Sequence, residues 1–157
     1  MGVSRFVVGS KDFFGVVIKQ KGNIDINRLY KKVIPWFSGH GYFFTEKALK
    51  GRHVGGVQEE RFEWSGKRDI DDYFRFFMEV EIIIYLRPKH ISEITLLFKG
   101  YLETDYKNKF KGRFGAFLRK LYESYLIKEK IDSMEGKVWM EINDLIGEAK
   151  KVLGLVK

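Results

Sequence analysis

A chain of 157 residues with 45% hydrophobic and 16% aromatic side chains is the size of one folded domain and apolar enough for one core, which excludes intrinsic disorder. The absence of cysteine excludes disulfides, thiol catalysis and thiolate metal sites, and it suits a cytoplasmic protein. An excess of 29 Lys and Arg over 21 Asp and Glu, a formal charge of +8, suits a polyanionic partner as well as simple solubility.

The N-terminal stretch MGVSRFVVGSKDFF has no basic-then-apolar leader and places Phe6 where a myristoylation signal requires Ser or Thr. No apolar run reaches the roughly 18 residues of a membrane span, so a soluble chain with no membrane partner is expected. Many Lys, Glu and Ile residues with only two Pro suit a thermophile. The segment FFGVVIKQ reads as a first strand. Next, NIDINRLYKKVIPWFSGHG reads as a helix, capped by Asn23 or Asp25, with Ile26, Leu29, Tyr30, Val33 and Phe37 at helical spacing. Pro35 is expected to kink or end it, and Gly39 to stop it. GYFFTEKAL and EERFEWSG read as strands joined by a flexible glycine-rich loop, KGRHVGG.

The run DDYFRFFMEVEIIIYL alternates with the period of a strand. Phe74, Phe76, Met78, Val80, Ile82, Ile84 and Leu86 form a wholly apolar face, while Arg75, Glu79 and Glu81 share the other face with Tyr73, Phe77, Ile83 and Tyr85. After the turn-like RPKHIS, EITLLFKGYLETDY puts Ile94, Leu96, Phe98 and Leu102 on the matching face, which predicts a hairpin. A register in which paired numbers sum to about 180 opposes Ile82 to Phe98, Met78 to Leu102, Glu81 to Lys99 and Arg75 to Asp105. In that register Gly100 lies opposite Val80, as a bend, a bulge or a place where another group approaches the sheet.

From Phe114 onward the period becomes helical. Phe114, Phe117, Leu118, Leu121 and Tyr125 form one stripe, and Met134, Val138, Ile142, Leu145, Ala149 and Val152 form a second. The stripe slips near Lys128, which predicts a bend or break within some forty residues of helix. The whole is read as a single α+β domain, residues 1–157: an antiparallel sheet of four or more strands packed on a short N-terminal helix and a long C-terminal helical region. The order of elements resembles that of helix-grip folds. FEWSGKRDIDDYFRFFMEVEI, FKGYLETDY and FLRKLYESYLIKEKID, with their Glu-Trp, Asp-Asp-Tyr-Phe and Gly-Tyr-Leu-Glu-x-Asp-Tyr segments, resemble a family of small archaeal proteins of uncharacterised activity over roughly residues 40 to 140. The resemblance implies an archaeal origin and carries over no catalytic residues.

Between Lys107 and Lys130 eight basic side chains, Lys107, Lys109, Lys111, Arg113, Arg119, Lys120, Lys128 and Lys130, stand against Glu123 and Glu129, so this stretch holds +6 of the net +8. It leads into a helix N-terminus, where a phosphate backbone is a physically sensible partner, and Tyr106, Phe110 and Phe114 are interleaved as candidates for base stacking or for core anchoring. A solvated helix face explains the same charges without any partner.

Asp69, Asp71 and Asp72 with Glu79 and Glu81 invite a metal-dependent nuclease reading, but the motif EVE lacks the following lysine of restriction-type nucleases, so no metal or catalytic residue is expected. His40, His53 and His90 are scattered without the spacing of a zinc site. GRHVGG lacks the Lys-Ser or Lys-Thr ending of a phosphate-binding loop. Trp64, Phe74, Phe76, Met78, Phe98, Trp139 and Met140 either line an apolar cavity between sheet and helix or simply pack the core.

The reading that results is a non-enzymatic, cofactor-free binding module docking RNA or a ribonucleoprotein through its basic C-terminal helical face. The alternatives are a helix-grip carrier or enzyme for an apolar small molecule, and a protein-interaction subunit of a larger assembly.

Overall fold

The computed structural model describes residues 4–7, 16–22, 24–88 and 90–155. In chain order the elements are β1 (Ser4–Val7), β2 (Val16–Lys21), α1 (Ile26–Gly39), β3 (Phe43–Val54), β4 (Val57–Asp69), β5 (Phe74–Arg87), β6 (His90–Thr104), α2 (Gly112–Leu121), a π-helical turn (Tyr122–Leu126) and α3 (Lys128–Val152). The fold is α+β, with a short N-terminal helix and a 25-residue C-terminal helix against an antiparallel sheet. Phe13 to Gly15 of the expected first strand, and the Asn23 option for the helix cap, lie outside the described residues.

Among the described residues six strands occupy five positions. β3, β4, β5 and β6 form a meander, and β1 and β2 share the free edge of β6, β1 along residues 101–104 and β2 along residues 93–98. Phe74, Phe76, Met78, Val80, Ile82 and Ile84 of β5 are buried together with Ile94, Leu96, Phe98 and Leu102 of β6, so the alternation read in the sequence identifies the core face. The register differs by two residues: Ile82 faces Leu96, Met78 faces Gly100, Glu79 faces Lys99 and Arg75 faces Glu103. A two-residue slip leaves every side chain on its face, so the apolar pattern cannot detect it. A register irregularity between Tyr85 and Leu86 shifts the pairing by one residue between the turn and the rest of the ladder.

The β3–β4 hairpin is longer than expected. KGRHVGG is not a flexible loop: pairing continues to Val54 and Val57, closed by Gly55 and Gly56, both at positive φ as a two-residue hairpin turn requires. The extra residue sits in a bulge between Leu49 and Arg52, where a Cβ on Gly51 would lie 2.2 Å from the Glu59 carbonyl oxygen.

α1 begins where Asp25 accepts the Asn27 N–H at 3.0 Å and runs through Pro35 to Gly39. Its buried residues are Leu29, Val33, Trp36 and Phe37. α3 buries Val138, Ile142, Leu145 and Ala149, largely the expected stripe. Both helices settle on one row of the sheet, in which Gly66 and Gly100 flank Met78. A Cβ on Gly66 would lie 2.5 Å from the Phe37 ring of α1, and one on Gly100 would lie 3.1 Å from Val138 of α3. Absent side chains on either side of Met78 are thus the notches in which the two helices seat. Polar bonds fix the arrangement: Arg68 of β4 pairs with Glu141 at 2.7 Å, and the Trp36 indole donates to Asp144 at 2.7 Å.

Candidate docking surface

After β6 the chain turns sharply. Asp105 is fully enclosed at φ 52°, its carboxylate accepts the N–H groups of Lys109 at 2.6 Å and Phe110 at 3.2 Å, and its carbonyl accepts that of Asn108 at 2.8 Å. A buried carboxylate needs such donors, and here they fold residues 105–110 into a compact turn. Phe110 then joins Tyr73 and Tyr122 in an aromatic cluster, with ring centroids 6.3 and 5.7 Å apart. α2 rests directly on this turn: a Cβ on Gly115 would come within 2.9 Å of the Phe110 carbonyl carbon, so only glycine allows the approach.

One turn later Arg119, expected on the exposed basic face, points inward. Its guanidinium donates to the Thr104 carbonyl at 2.9 Å, to the Thr104 hydroxyl at 2.8 Å and to Glu123 at 3.1 Å, with Asp105 at 4.0 Å. Tyr73 also donates to Glu123, at 2.5 Å, and burial followed by that bond pushes its phenol well above the ordinary range. α2 is therefore fastened to the end of the sheet by a glycine contact and a buried arginine network.

The apolar stripe of α2 is consequently not core. Phe114 is 73% exposed and Phe117 57%, and Leu118, Leu121, Tyr125 and Leu126 are exposed as well. With Gly115 and Arg119 occupying the side toward the sheet, the large side chains have nowhere to go but outward. The sequence signal for this was Gly115 and Arg119 at i and i+4, a small residue and a multidentate donor on the side away from the stripe.

The remaining basic residues divide into two groups. Lys107 pairs with Asp72 at 2.5 Å, Lys109 approaches the same carboxylate at 4.0 Å, and Lys130 lies 3.4 Å from Asp71. The Lys107 bond holds the Asp72 carboxyl below its ordinary value and raises the ammonium in turn. For Asp71, burial would raise the carboxyl, but the N–H groups of Phe74 and Tyr73, with Lys130, outweigh it and the net shift is downward. Lys111, Arg113, Lys120 and Lys128 are exposed and form no ion pair among the described residues. Of the interleaved aromatics, Phe110 is held in the cluster and Tyr106 lies under Arg75 at 4.2 Å; Phe114 alone of the three is exposed.

Asp69, Asp71 and Glu81 are engaged in local contacts. Asp71 accepts the N–H groups of Tyr73 and Phe74 at 2.8 Å, Asp69 pairs with Arg75 at 2.6 Å, and Glu81 lies 3.5 Å from Arg61 rather than opposite Lys99. Among the described residues no three His, Asp or Glu side chains group to hold a metal. His40 stacks on Trp36 at 4.1 Å, while His53 and His90 are exposed in the β3–β4 and β5–β6 hairpins.

Trp64, Phe74, Phe76, Met78 and Phe98 are at most 2% exposed and pack the core, whereas Met140 faces outward. A cleft of about 840 Å³ lies elsewhere, between the first turn of α1 and the β3–β4 hairpin, lined by Ile26, Tyr30, Ala48, Arg52 and Phe62. Its carboxylates have protein partners: Glu46 accepts from Tyr30 at 2.8 Å and from the Trp64 indole, Glu59 from Arg61 at 2.5 Å and Glu60 from Gln58 at 3.3 Å, so the walls are polar, open and internally satisfied. No helix among the described residues is long and apolar enough to cross a membrane.

Compared with family models, curated proteins and solved structures, the chain matches none.

Proposed function

We propose that this chain is a binding module whose docking surface is the ridge formed by residues 105–111, α2 and the π-helical turn, and whose partner presents phosphate. One observation carries the reading: Lys111, Arg113, Lys120 and Lys128, without ion pairs among the described residues, stand beside exposed Phe114, Phe117, Leu118, Leu121, Tyr125 and Leu126 within one short stretch. Scattered exposed apolar residues are ordinary, but six on consecutive turns of a helix pinned from behind mark an interaction surface. The cations set its sign. Charge alone points to RNA or a ribonucleoprotein, and phosphate is the chemistry that RNA shares with other polyanionic surfaces.

The test compares the wild-type chain with Lys111→Glu/Arg113→Glu/Lys120→Glu, using single-stranded RNA and anionic phospholipid vesicles in parallel across a salt series. Binding to one of the two should fall steeply with salt, for RNA with a log-log slope of roughly 0.7 per phosphate neutralised, and should vanish in the charge-reversed chain. Absence of salt-dependent binding to both would remove the reading. The substituted side chains are exposed, so circular dichroism should show an unchanged fold.

A further inference from the structure

The docking reading above leaves open which phosphate-bearing surface fits, and the apolar half of the ridge decides between them. On a helix that advances about 100° per residue, Phe114, Phe117, Leu118 and Leu121 fall within an arc of about 100°, Arg113 and Lys120 border it, and Gly115 and Arg119 face the sheet. Tyr125 and Leu126, 79% and 76% exposed, carry the apolar line past the end of α2, and Lys128 follows.

RNA would engage the cations and could stack bases on the rings, but Leu118, Leu121 and Leu126 gain little from flat base faces. A convex helical ridge also offers no channel for a strand to follow. A second copy of the chain would bring Lys111, Arg113, Lys120 and Lys128 against their own equivalents, where like charges repel. The boundary of an anionic bilayer offers negative phosphates and apolar chains a few ångströms apart, which matches a short helix bearing Phe and Leu on one side and Lys and Arg beside it.

We propose that α2 is an interfacial anchor that seats the protein on an anionic phospholipid bilayer. The ridge residues enter the acyl boundary while Lys111, Arg113, Lys120 and Lys128 meet the headgroup phosphates. A helix of 10 residues, about 15 Å long, lies in the plane of such a surface and does not cross it, so the expectation of no membrane partner, which rests on the lack of a spanning run, does not extend to it. The polar fastening through Arg119 has a direct use here: it holds the helix to the body without consuming the apolar face.

The experiment is co-sedimentation of the full chain with vesicles of phosphatidylglycerol and phosphatidylcholine, with pure phosphatidylcholine vesicles and single-stranded RNA at the same ionic strength as comparison arms. The expected result is binding to the mixed vesicles and to neither comparison. Phe114→Ser/Phe117→Ser/Leu121→Ser, which keeps every charge, should abolish vesicle binding. Lys111→Gln/Arg113→Gln/Lys120→Gln, which keeps the ridge, should weaken it about a hundredfold. If the ridge variant sediments like the wild type, attraction is purely electrostatic and the anchor is refuted. RNA binding through the same cations without vesicle binding would also refute the anchor, while leaving the broader docking reading in place; failure of both arms would remove both.

Discussion

α2 and α3 are both amphipathic, and they turn their apolar sides in opposite directions relative to the sheet. α3 lies along the core face and buries Val138, Ile142, Leu145 and Ala149, the first of them seated on Gly100. α2 sits at the end of the sheet, buries Gly115 and Arg119, and leaves Phe114 and Phe117 largely, and Leu118 and Leu121 partly, in solvent. The first is held by apolar area, at roughly 1.5 to 3 kcal/mol per large side chain, and the second by a desolvated arginine with its partners. A helical stripe thus establishes that a helix has an apolar side; what covers that side depends on where the chain places the helix.

The largest expected effect tests the polar fastening. Arg119→Ala leaves the Thr104 carbonyl and Asp105 without their guanidinium and should cost about 3 to 5 kcal/mol in urea unfolding, with amide exchange accelerating in residues 112–121 before it does in α3. A loss below about 1 kcal/mol would mean that something else anchors α2. Next, Leu145→Ala should cost about 3 kcal/mol, whereas Leu121→Ala should cost less than about 0.5 kcal/mol, since the first side chain is fully buried and the second is exposed. Equal losses would erase the distinction between the helices.

A smaller effect sharpens the account of how the helices seat. Gly66→Ala drives a methyl group into the Phe37 ring and should destabilise by about 1 to 3 kcal/mol, while Gly136→Ala, whose Cβ meets nothing within 4 Å in α3, should stabilise by up to about 1 kcal/mol. Both substitutions proving neutral would show that the Gly66–Met78–Gly100 row is not what positions α1. The smallest concerns the register. Glu79→Lys and Lys99→Glu, which oppose one another across β5 and β6, should each cost about 0.5 kcal/mol and partly restore one another when combined. Strictly additive losses would contradict the pairing.

Much of the architecture was legible in the sequence because strand alternation is a parity rule. DDYFRFFMEVEIIIYL and EITLLFKGYLETDY announce their buried faces, and the C-terminal break near Lys128 appears as a slip in helical phase. Offset was not legible: shifting β5 against β6 by two residues preserves both faces, and the turn that decides between registers carries an irregularity its residues do not announce. Gly100 stands out in the sequence as a bend, a bulge or a place of close approach; the folded chain selects the last, because its occupant, Val138, comes from nearly forty residues away.

The docking ridge was half legible. Its cations were visible as a charge run, but Arg119 belongs to the interior and Lys107, Lys109 and Lys130 sit beside Asp72 and Asp71, partners that the linear sequence separates by tens of residues. Its apolar half is visible as a stripe, but whether that stripe is covered is not, because the period of a helix says nothing about which of its sides meets the sheet.

The outward face of α2 is the central claim, and the absence of native cysteine allows it to be measured cleanly. Single substitutions Phe114→Cys, Phe117→Cys and Leu121→Cys on α2, and Val138→Cys, Ile142→Cys and Leu145→Cys on α3, can be compared by their rates of thiol labelling under native conditions. The cysteines at 114 and 117 should react at close to the rate of an unstructured thiol and the one at 121 somewhat more slowly, while the α3 cysteines stay protected until the protein unfolds. Protection of Phe114→Cys and Phe117→Cys to the same degree as Leu145→Cys would mean that the stripe of α2 is covered by the protein itself, and the docking surface would not exist.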